Sequence, residues 1–202
     1  MLKRSFDIVA SLALIFLLSP VLLAIALVIK LHDHGPVFFL QDRVGRQRRL
    51  FRIYKFRTMR VDADAELERW RHAHPELWDE YQSASCKLKD DPRVTPLGAF
   101  LRKSSLDELP QLFNVLHGDM SLVGPRPLQA EESRAYGDAY LELYGKVRPG
   151  ISGLWQVSGR SDTTVSERMD LDVEYVFRQS FWLDLKILFK TVPVVLKRTG
   201  AY

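Results

Sequence analysis

The chain has 202 residues, 47% of them hydrophobic and 27% charged, enough apolar material for one catalytic domain and an accessory segment. Lys and Arg number 29 against 25 Asp and Glu, a net charge of +4 that points to an anionic partner only where it clusters. The single Cys86 excludes an intramolecular disulfide framework and a cysteine metal site and suits a reducing compartment; five His residues without a His-x-x-x-His pair argue against a zinc enzyme.

From Ile8 to Ile29 the chain is apolar apart from Ser11 and the pair Ser19-Pro20. As a straight helix at about 1.5 Å per residue, this run would cross roughly 30 Å of hydrocarbon. Three readings are open. A spanning helix is one. A cleaved signal peptide is another, since Lys3-Arg4 precedes the run and Ala24-Ile25-Ala26 resembles a cleavage site, although the apolar stretch continues to Leu31. The third is a helix-break-helix that enters the bilayer and returns. Pro20 cannot donate to the carbonyl of Phe16 and should bend the helix, while Ser19 can return a hydroxyl to a freed carbonyl. Both ends are basic, with Lys3 and Arg4 before the run and Lys30, Arg43, Arg46, Arg48 and Arg49 after it. A re-entrant course keeps all of them on the cytoplasmic side, as positive charge prefers.

Gly35 to Phe39 is extended. Residues 50–59 alternate as strand, with Arg52, Lys55 and Arg57 among Phe51, Ile53, Tyr54 and Phe56, and Gly45 is expected to turn a hairpin with Val37–Leu40. Asp62 to Tyr81 is expected to form a surface helical hairpin broken by Pro75, with Leu67, Trp70, Leu77 and Trp78 as an apolar side that could rest on a membrane. Asp90-Asp91-Pro92-Arg93 is a turn and Thr95 to Lys103 a short helix. Val123 to Pro127 is a rigid loop presenting Arg126, and Glu131 to Tyr144 a polar helix. Arg148 to Arg160 is Gly-rich and irregular, matching neither a Walker A nor a GxGxxG pattern. Near the C-terminus Phe181, Leu185, Leu188, Val192 and Val195 share one helical face and Lys186, Lys190 and Lys197 another, an amphipathic pattern suited to a core or to an anionic membrane surface.

The chain is organised around Ser104-Ser105-Leu106-Asp107-Glu108-Leu109-Pro110. Ser105 and Glu108 have capping-box spacing, which alone would make the acidic pair structural. Against this, Pro110 would be the fifth residue of a helix capped by Ser105, where it removes an interior hydrogen bond. A helix starting near Pro110 leaves Asp107 and Glu108 on the bend before it, close to Arg102 and Lys103. A carboxylate that attacks a phosphoryl group needs a metal ion and Arg or Lys to offset the mutual repulsion. Mg²⁺ takes one or two protein carboxylates plus substrate phosphates, so Asp107 and Glu108 can divide the roles of nucleophile and metal ligand. Lys55, Arg102, Arg126 and Arg160 are candidates for the charge clamp, and a membrane-dipping helix implies a lipid substrate.

Together, Lys3-Arg4-Ser5-Phe6-Asp7, Ser19-Pro20, Gly35-Pro36-Val37-Phe38-Phe39, Tyr54-Lys55-Phe56-Arg57-Thr58-Met59, Ser105 to Gln111, Val123-Gly124-Pro125-Arg126-Pro127, Arg148-Pro149-Gly150 and the end Gly200-Ala201-Tyr202 resemble the bacterial sugar transferases, the monotopic polyprenyl-phosphate phosphoglycosyl transferases. The likeness covers nearly the whole chain and leans toward members transferring galactose or glucose phosphate. It implies an α+β, mostly helical fold: a re-entrant membrane anchor over residues 1–34, broken at Ser19 and Pro20, and a compact cytosol-facing catalytic domain over residues 35–202 with a small β-hairpin and interfacial helices. It implies that Asp107 attacks the β-phosphate of a UDP-sugar, releasing UMP, and that polyprenyl (undecaprenyl) phosphate then takes the sugar phosphate in surface polysaccharide assembly. Glu108 would bind Mg²⁺; Arg126, with Pro125 and Pro127, would hold the nucleotide; Lys55, Arg102 and Arg160 would contact phosphates. The expected location is the cytoplasmic face of the bacterial inner membrane, and the expected partners are the UDP-sugar, polyprenyl phosphate and membrane lipid, without nucleic acid. A homodimer and downstream glycosyltransferases are left open. Arg48 stands where the family often has Gly, and Ser152 where Thr is common. The chain starts at the catalytic core, as a small stand-alone member or an excised part would.

Other classes fit parts of this pattern. A membrane-anchored nucleic-acid binder would use the basic strands but not the acidic pair. A non-enzymatic scaffold would use the apolar run and the C-terminal helix. A metal-dependent lipid phosphatase would use the acidic pair and release free phosphate.

Overall fold

The computed structural model describes residues 2–73, 76, 78, 79, 88, 91–134, 136–158 and 164–196. Its first element is a helix, α1, of 32 residues from Leu2 to Asp33. The helical assignment runs unbroken through Ser19-Pro20, where two helices separated by a break were expected. Ser19 explains part of this: its hydroxyl donates to the carbonyl of Phe16 at 2.8 Å, the acceptor that Pro20 cannot serve. One side of α1 lies on the remainder of the protein. Its other side leaves Phe16 84%, Leu17 72% and Leu23 71% exposed, and the helix is long and apolar enough to cross a membrane.

Strand β1 (Phe38–Val44) pairs antiparallel with β2 (Leu50–Phe56), Phe38 opposite Phe56 and Val44 opposite Leu50. The hairpin is therefore longer than expected on its first arm. Gly45 is extended, and the reversal is made by Gln47 and Arg48 at φ 59° and 60°. Left-handed backbone at position 48 is the conformation that Gly adopts without steric penalty, and here Arg48 adopts it. Strand β4 (Leu128–Gln129) extends this sheet to the order β2-β1-β4, and β3 (Ser121–Val123) runs parallel to β5 (Gly150–Ser152). Both additions were missed, because strands of two or three residues carry no readable alternation.

Among the described residues the other α-helices are α2 (Ala63–Ala73), α3 (Pro96–Ser104), α4 (Gln111–His117), α5 (Ala130–Ser133), α6 (Asp138–Tyr144), α7 (Leu154–Ser158), α8 (Val165–Arg178) and α9 (Phe181–Leu196). Mostly helical α+β is thus the observed class. The expected single polar helix over Glu131–Tyr144 is in fact two, separated at Gly137, and α6 is not polar: Tyr140 and Tyr144 are buried with Tyr136, Leu141, Val44 and Leu128 in one cluster. Trp70, assigned to a membrane-facing side, is 5% exposed and stacks under the Arg93 guanidinium at 4.9 Å. Pro75, Leu77 and Tyr81 of that expected hairpin, together with Cys86, Lys197 and Gly200 to Tyr202, lie outside the described residues.

Two clusters hold α1 in place. Phe6, Ala10 and Ile15 pack against the main core of Ile53, Leu112, Val115, Met120, Leu122, Val123, Tyr175 and Ile187. Farther along, Ile25 and Ile29 join Phe56 and Leu101, with Leu106 against them. Burial of such side chains is the dominant favourable contribution to folding, at about 1.5–3 kcal/mol each. Polar bonds fix both ends. Lys3 reaches the Asp184 carboxylate at 2.6 Å and the Val123 carbonyl at 3.0 Å, and Asp7 accepts from Ser121 Oγ at 2.8 Å. At the other end Asp33 pairs with Arg57. Helix α9 buries Asp184 and Ile187 but leaves Trp182, Phe189 and Val192 exposed, so of the two settings open to its apolar face Val192 does not take the core.

Candidate active site

The segment around Asp107 is shaped by its caps. Thr95 caps α3, accepting from the N–H of Gly98 at 2.9 Å, with Pro96 in the first turn. Gly98 packs so tightly on the chain at Thr58 that a Cβ there would lie 1.9 Å from the Thr58 carbonyl oxygen. The helix ends at Ser105, whose left-handed backbone (φ 57°, ψ 17°) turns the chain, and its N–H bonds the Arg102 carbonyl at 3.0 Å. A 3₁₀ turn over Leu106–Glu108 follows, and α4 begins after Pro110. Ser105 makes no side-chain cap bond, so the capping-box reading fails and the bend before Pro110 is what carries the two carboxylates. Non-glycine residues in this conformation recur at functional sites, where surrounding structure holds the strain.

Asn114 links this unit to the hairpin. Its side chain accepts from the Tyr54 N–H at 2.9 Å and donates to the Arg52 carbonyl at 2.7 Å, extending the edge of β2 as a paired strand would. The neighbouring Lys55 then reaches Glu108 Oε1 at 2.7 Å. Arg102 donates through Nε to the Thr58 hydroxyl at 2.9 Å. Lys55, Arg102, Asp107 and Glu108 therefore converge from β2, α3 and the 3₁₀ turn. Asp107 is 8% exposed. Burial pushes its carboxyl up to about 6, Glu108 adds to the rise, and the Lys55 and Arg102 charges oppose it. Burial also lowers Arg102, against the pull of Asp107 and Asp91.

Leu106 anchors the turn in the cluster formed with Ile25 and Ile29, so Asp107 sits next to the apolar helix. The Pro125-Arg126-Pro127 loop arrives from β3 and is bonded along its length. Val123 O accepts from Tyr175 at 3.0 Å, Pro125 O from the Gly150 N–H at 2.8 Å, Arg126 O from Tyr144 at 3.2 Å and Pro127 O from Arg43 at 3.0 Å. Most of these bonds come from residues that the sequence reading did not name for the loop. The Arg126 guanidinium lies 5.5 Å from the Trp155 ring centroid, and Arg168 lies 4.5 Å from the same centroid. Arg160 lies outside the described residues.

Sequence reasoning gave no role in the site to Arg43, Tyr144, Trp155 or Arg168 and did not name α8. The last had a signal: Thr164-Val165-Ser166-Glu167 is a capping box, with Glu167 N–H bonded to Thr164 Oγ1 at 3.2 Å and Thr164 N–H to Glu167 Oε2 at 2.7 Å. A separate cavity of about 540 Å³ opens beside His32, Asp33, Arg60, Thr95 and Pro96. Its lining includes none of Lys55, Asp107, Glu108 or Arg126.

A divalent cation would find few protein ligands here. No group of three or more His, Cys, Asp or Glu side chains suited to a metal ion occurs among the described residues. Two adjacent carboxylates, one of them half-exposed and already facing an ammonium group, fit an ion such as Mg²⁺ that completes its shell with substrate oxygens and water.

Arranged this way, the site offers a buried carboxylate of raised pKa, an adjacent carboxylate and several fixed cations next to an apolar surface. This is chemistry suited to a phosphate. A protein-family model described as bacterial sugar transferase matches residues 1–198. The chain is 45% identical over 202 residues to the exopolysaccharide production protein ExoY of Rhizobium meliloti, covering all of this chain and 88% of the relative. It is 46% identical over 201 residues to the undecaprenyl-phosphate galactose phosphotransferase of Salmonella typhimurium, and 41% over 210 residues to the UDP-glucose:undecaprenyl-phosphate glucose-1-phosphate transferase of Escherichia coli. Each of these two alignments takes in all of this chain but only 42% of the relative.

Proposed function

This chain belongs to the bacterial sugar transferase family, and from that premise we propose that it transfers a sugar 1-phosphate from a UDP-sugar to a polyprenyl phosphate, with Asp107 as nucleophile. The observation carrying the reading is the placement of Asp107: buried, flanked by Lys55, Arg102 and Glu108, on a turn whose Leu106 packs against the apolar helix. Relatives named for undecaprenyl-phosphate galactose and glucose phosphate transfer support the same substrates.

In the first half-reaction a carboxylate oxygen of Asp107 forms a bond to the β-phosphorus of the donor. The bond between that phosphorus and the oxygen bridging to the α-phosphate breaks, and UMP leaves with the electron pair. In the second, a phosphate oxygen of the polyprenyl phosphate attacks the same phosphorus and displaces the Asp107 carboxylate, restoring the enzyme. Splitting the transfer this way produces ping-pong kinetics. Lys55 and Arg102 reduce repulsion between carboxylate and phosphate, and Arg126, on its bonded loop, holds the nucleotide. Pro125 and Pro127 limit the backbone of that loop, and Arg160 is assigned to phosphate contact by its place in the sequence. Glu108 would hold Mg²⁺, which when bound supplies electrostatic stabilisation of charge on the transferring phosphoryl group.

The same proposal makes α1 a re-entrant anchor, residues 1–34, for a cytosol-facing catalytic domain at the inner membrane. Support comes from its two ends. A straight helix of this length would measure about 48 Å, more than the roughly 30 Å hydrocarbon layer. Lys3 and Arg4 bond to β3, α4 and α9, while Asp33 bonds Arg57 just after β2, so both ends grip one domain. A spanning course would draw part of that domain into lipid. The test of function is UMP release from UDP-galactose and UDP-glucose, coupled to a lipid-linked product. Release of free phosphate instead would favour a lipid phosphatase.

A further inference from the structure

Arg43, on β1, is 6% exposed, and burying an unpaired charge is strongly unfavourable. Its side chain donates to Pro127 O at 3.0 Å and to Gln41 Oε1 at 2.5 Å, and its buried Nε has no hydrogen-bond partner. Among the described residues no carboxylate forms an ion pair with it. The acidic groups whose charges act on it are Glu132 and Glu108, and both are engaged elsewhere. Glu132 takes Arg168 at 3.4 Å and the Tyr136 hydroxyl at 3.0 Å, and Glu108 takes Lys55 at 2.7 Å. Burial, and then the neighbouring Arg126 charge, pull the Arg43 pKa down to about 10, which leaves it protonated at neutral pH.

A fold gains little stability from a buried cation placed beside a second cation and ion-paired to no carboxylate of its own. Such an arrangement makes sense where an anion arrives as ligand. Resting on the function proposed above, we infer that Arg43 is a positioning residue for the nucleotide diphosphate. It clamps the Pro-Arg-Pro loop from beneath through Pro127 and supplies a positive charge that no ion pair takes up until the donor binds beside Arg126. Arg43 does not touch the reacting atoms. It fixes the loop whose Arg126 holds the nucleotide and sets the potential around that guanidinium.

The test is calorimetric titration of UDP into the wild-type protein, Arg43→Gln and Arg43→Lys, with thermal unfolding of each measured with and without UDP. For Arg43→Gln the UDP dissociation constant is expected to rise about tenfold, as loss of one nearby charge at intermediate dielectric implies. Its ligand-induced rise in unfolding temperature is expected to shrink, while its unfolding temperature without UDP changes little. Arg43→Lys keeps the charge and is expected to stay within about threefold of wild type. Should Arg43→Gln lower unliganded stability yet bind UDP as wild type does, the residue is structural and the inference is overturned. Equal losses in Arg43→Lys and Arg43→Gln also overturn it, since charge would then not be the relevant property. If the wild-type protein binds no UDP, the inference fails together with the function. UMP release by the wild-type protein separates the cases: release with unchanged UDP affinity in the variants sinks the inference alone.

Discussion

Lys55 Nζ lies 2.7 Å from Glu108 Oε1, joining β2 to the turn that carries Asp107. The Lys55 charge is also the largest influence holding the Asp107 carboxyl down against its burial. Arg57, two residues along the chain, anchors the end of α1 through Asp33. β2 and the residue that follows it thus link the apolar helix α1 to the electrostatics of the proposed nucleophile.

Replacing Lys55 with Met removes that charge, so the Asp107 pKa should rise above its present value of about 6. The acidic limb of the pH-rate profile for UMP release should move upward, with wild-type activity increasing as pH rises through about 6. Initial rates between about pH 5 and 9 measure this. An unmoved limb would show that Lys55 does not act on Asp107.

Asp107→Asn should abolish UMP release and at the same time stabilise the fold. The pKa in the folded protein lies above the ordinary aspartate value of 3.8, so the folded state holds a proton that the unfolded chain has already lost. Stability due to this group is greatest at low pH and is lost as pH rises from about 4 to about 6. At neutral pH the Asn variant should therefore gain about 2 kcal/mol, since each tenfold change in proton affinity corresponds to about 1.4 kcal/mol and solvent screening reduces the total. The gain should fade below about pH 4. Denaturant midpoints at two pH values provide the measurement.

Gly150 and Gly137 form a contrasting pair. A Cβ on Gly150 would fall 2.0 Å from the backbone nitrogen of Gly124, at the root of the Pro-Arg-Pro loop, whereas one on Gly137 would meet nothing within 4 Å. Gly150→Ala should destabilise by about 3 kcal/mol or more through overpacking against rigid backbone. Gly137→Ala should stay within about 0.5 kcal/mol of wild type. Thermal unfolding of the two variants compares them.

In a Cys86→Ser background, cysteines placed at Leu2 and His32 should both react with an impermeant maleimide from the same face of the membrane. Labelling from opposite faces would make α1 a spanning helix. The polar bonds at Lys3, Asp7 and Asp33 would then need another explanation.

How far the residues announced this structure depended on the range of the interactions involved. The bend before Pro110, the short helix after Thr95 and the return bond from Ser19 are local, and each followed from a few neighbouring residues. The convergence of Lys55 on Glu108 depends on Asn114 bridging β2 and α4, a long-range pairing without periodic signature. Arg43 looked like one more surface cation after the apolar run. Only the pairing of β1 with β4, Arg43 opposite Gln129, reveals it as buried. The division of residues 130–144 into two helices was hidden because its tyrosines pack inward, where polar residues on both sides suggested solvent.

The most direct measurement is intact-mass analysis of the protein incubated with UDP-galactose or UDP-glucose and Mg²⁺ before any lipid acceptor is added, followed by peptide mapping. The expected result is a mass increase equal to one hexose phosphate less one water, located on Asp107, with matching UMP and discharge when polyprenyl phosphate is supplied. Lipid-linked product formed at full rate with residue 107 never modified, or formed by the Asp107→Asn variant, would contradict the account.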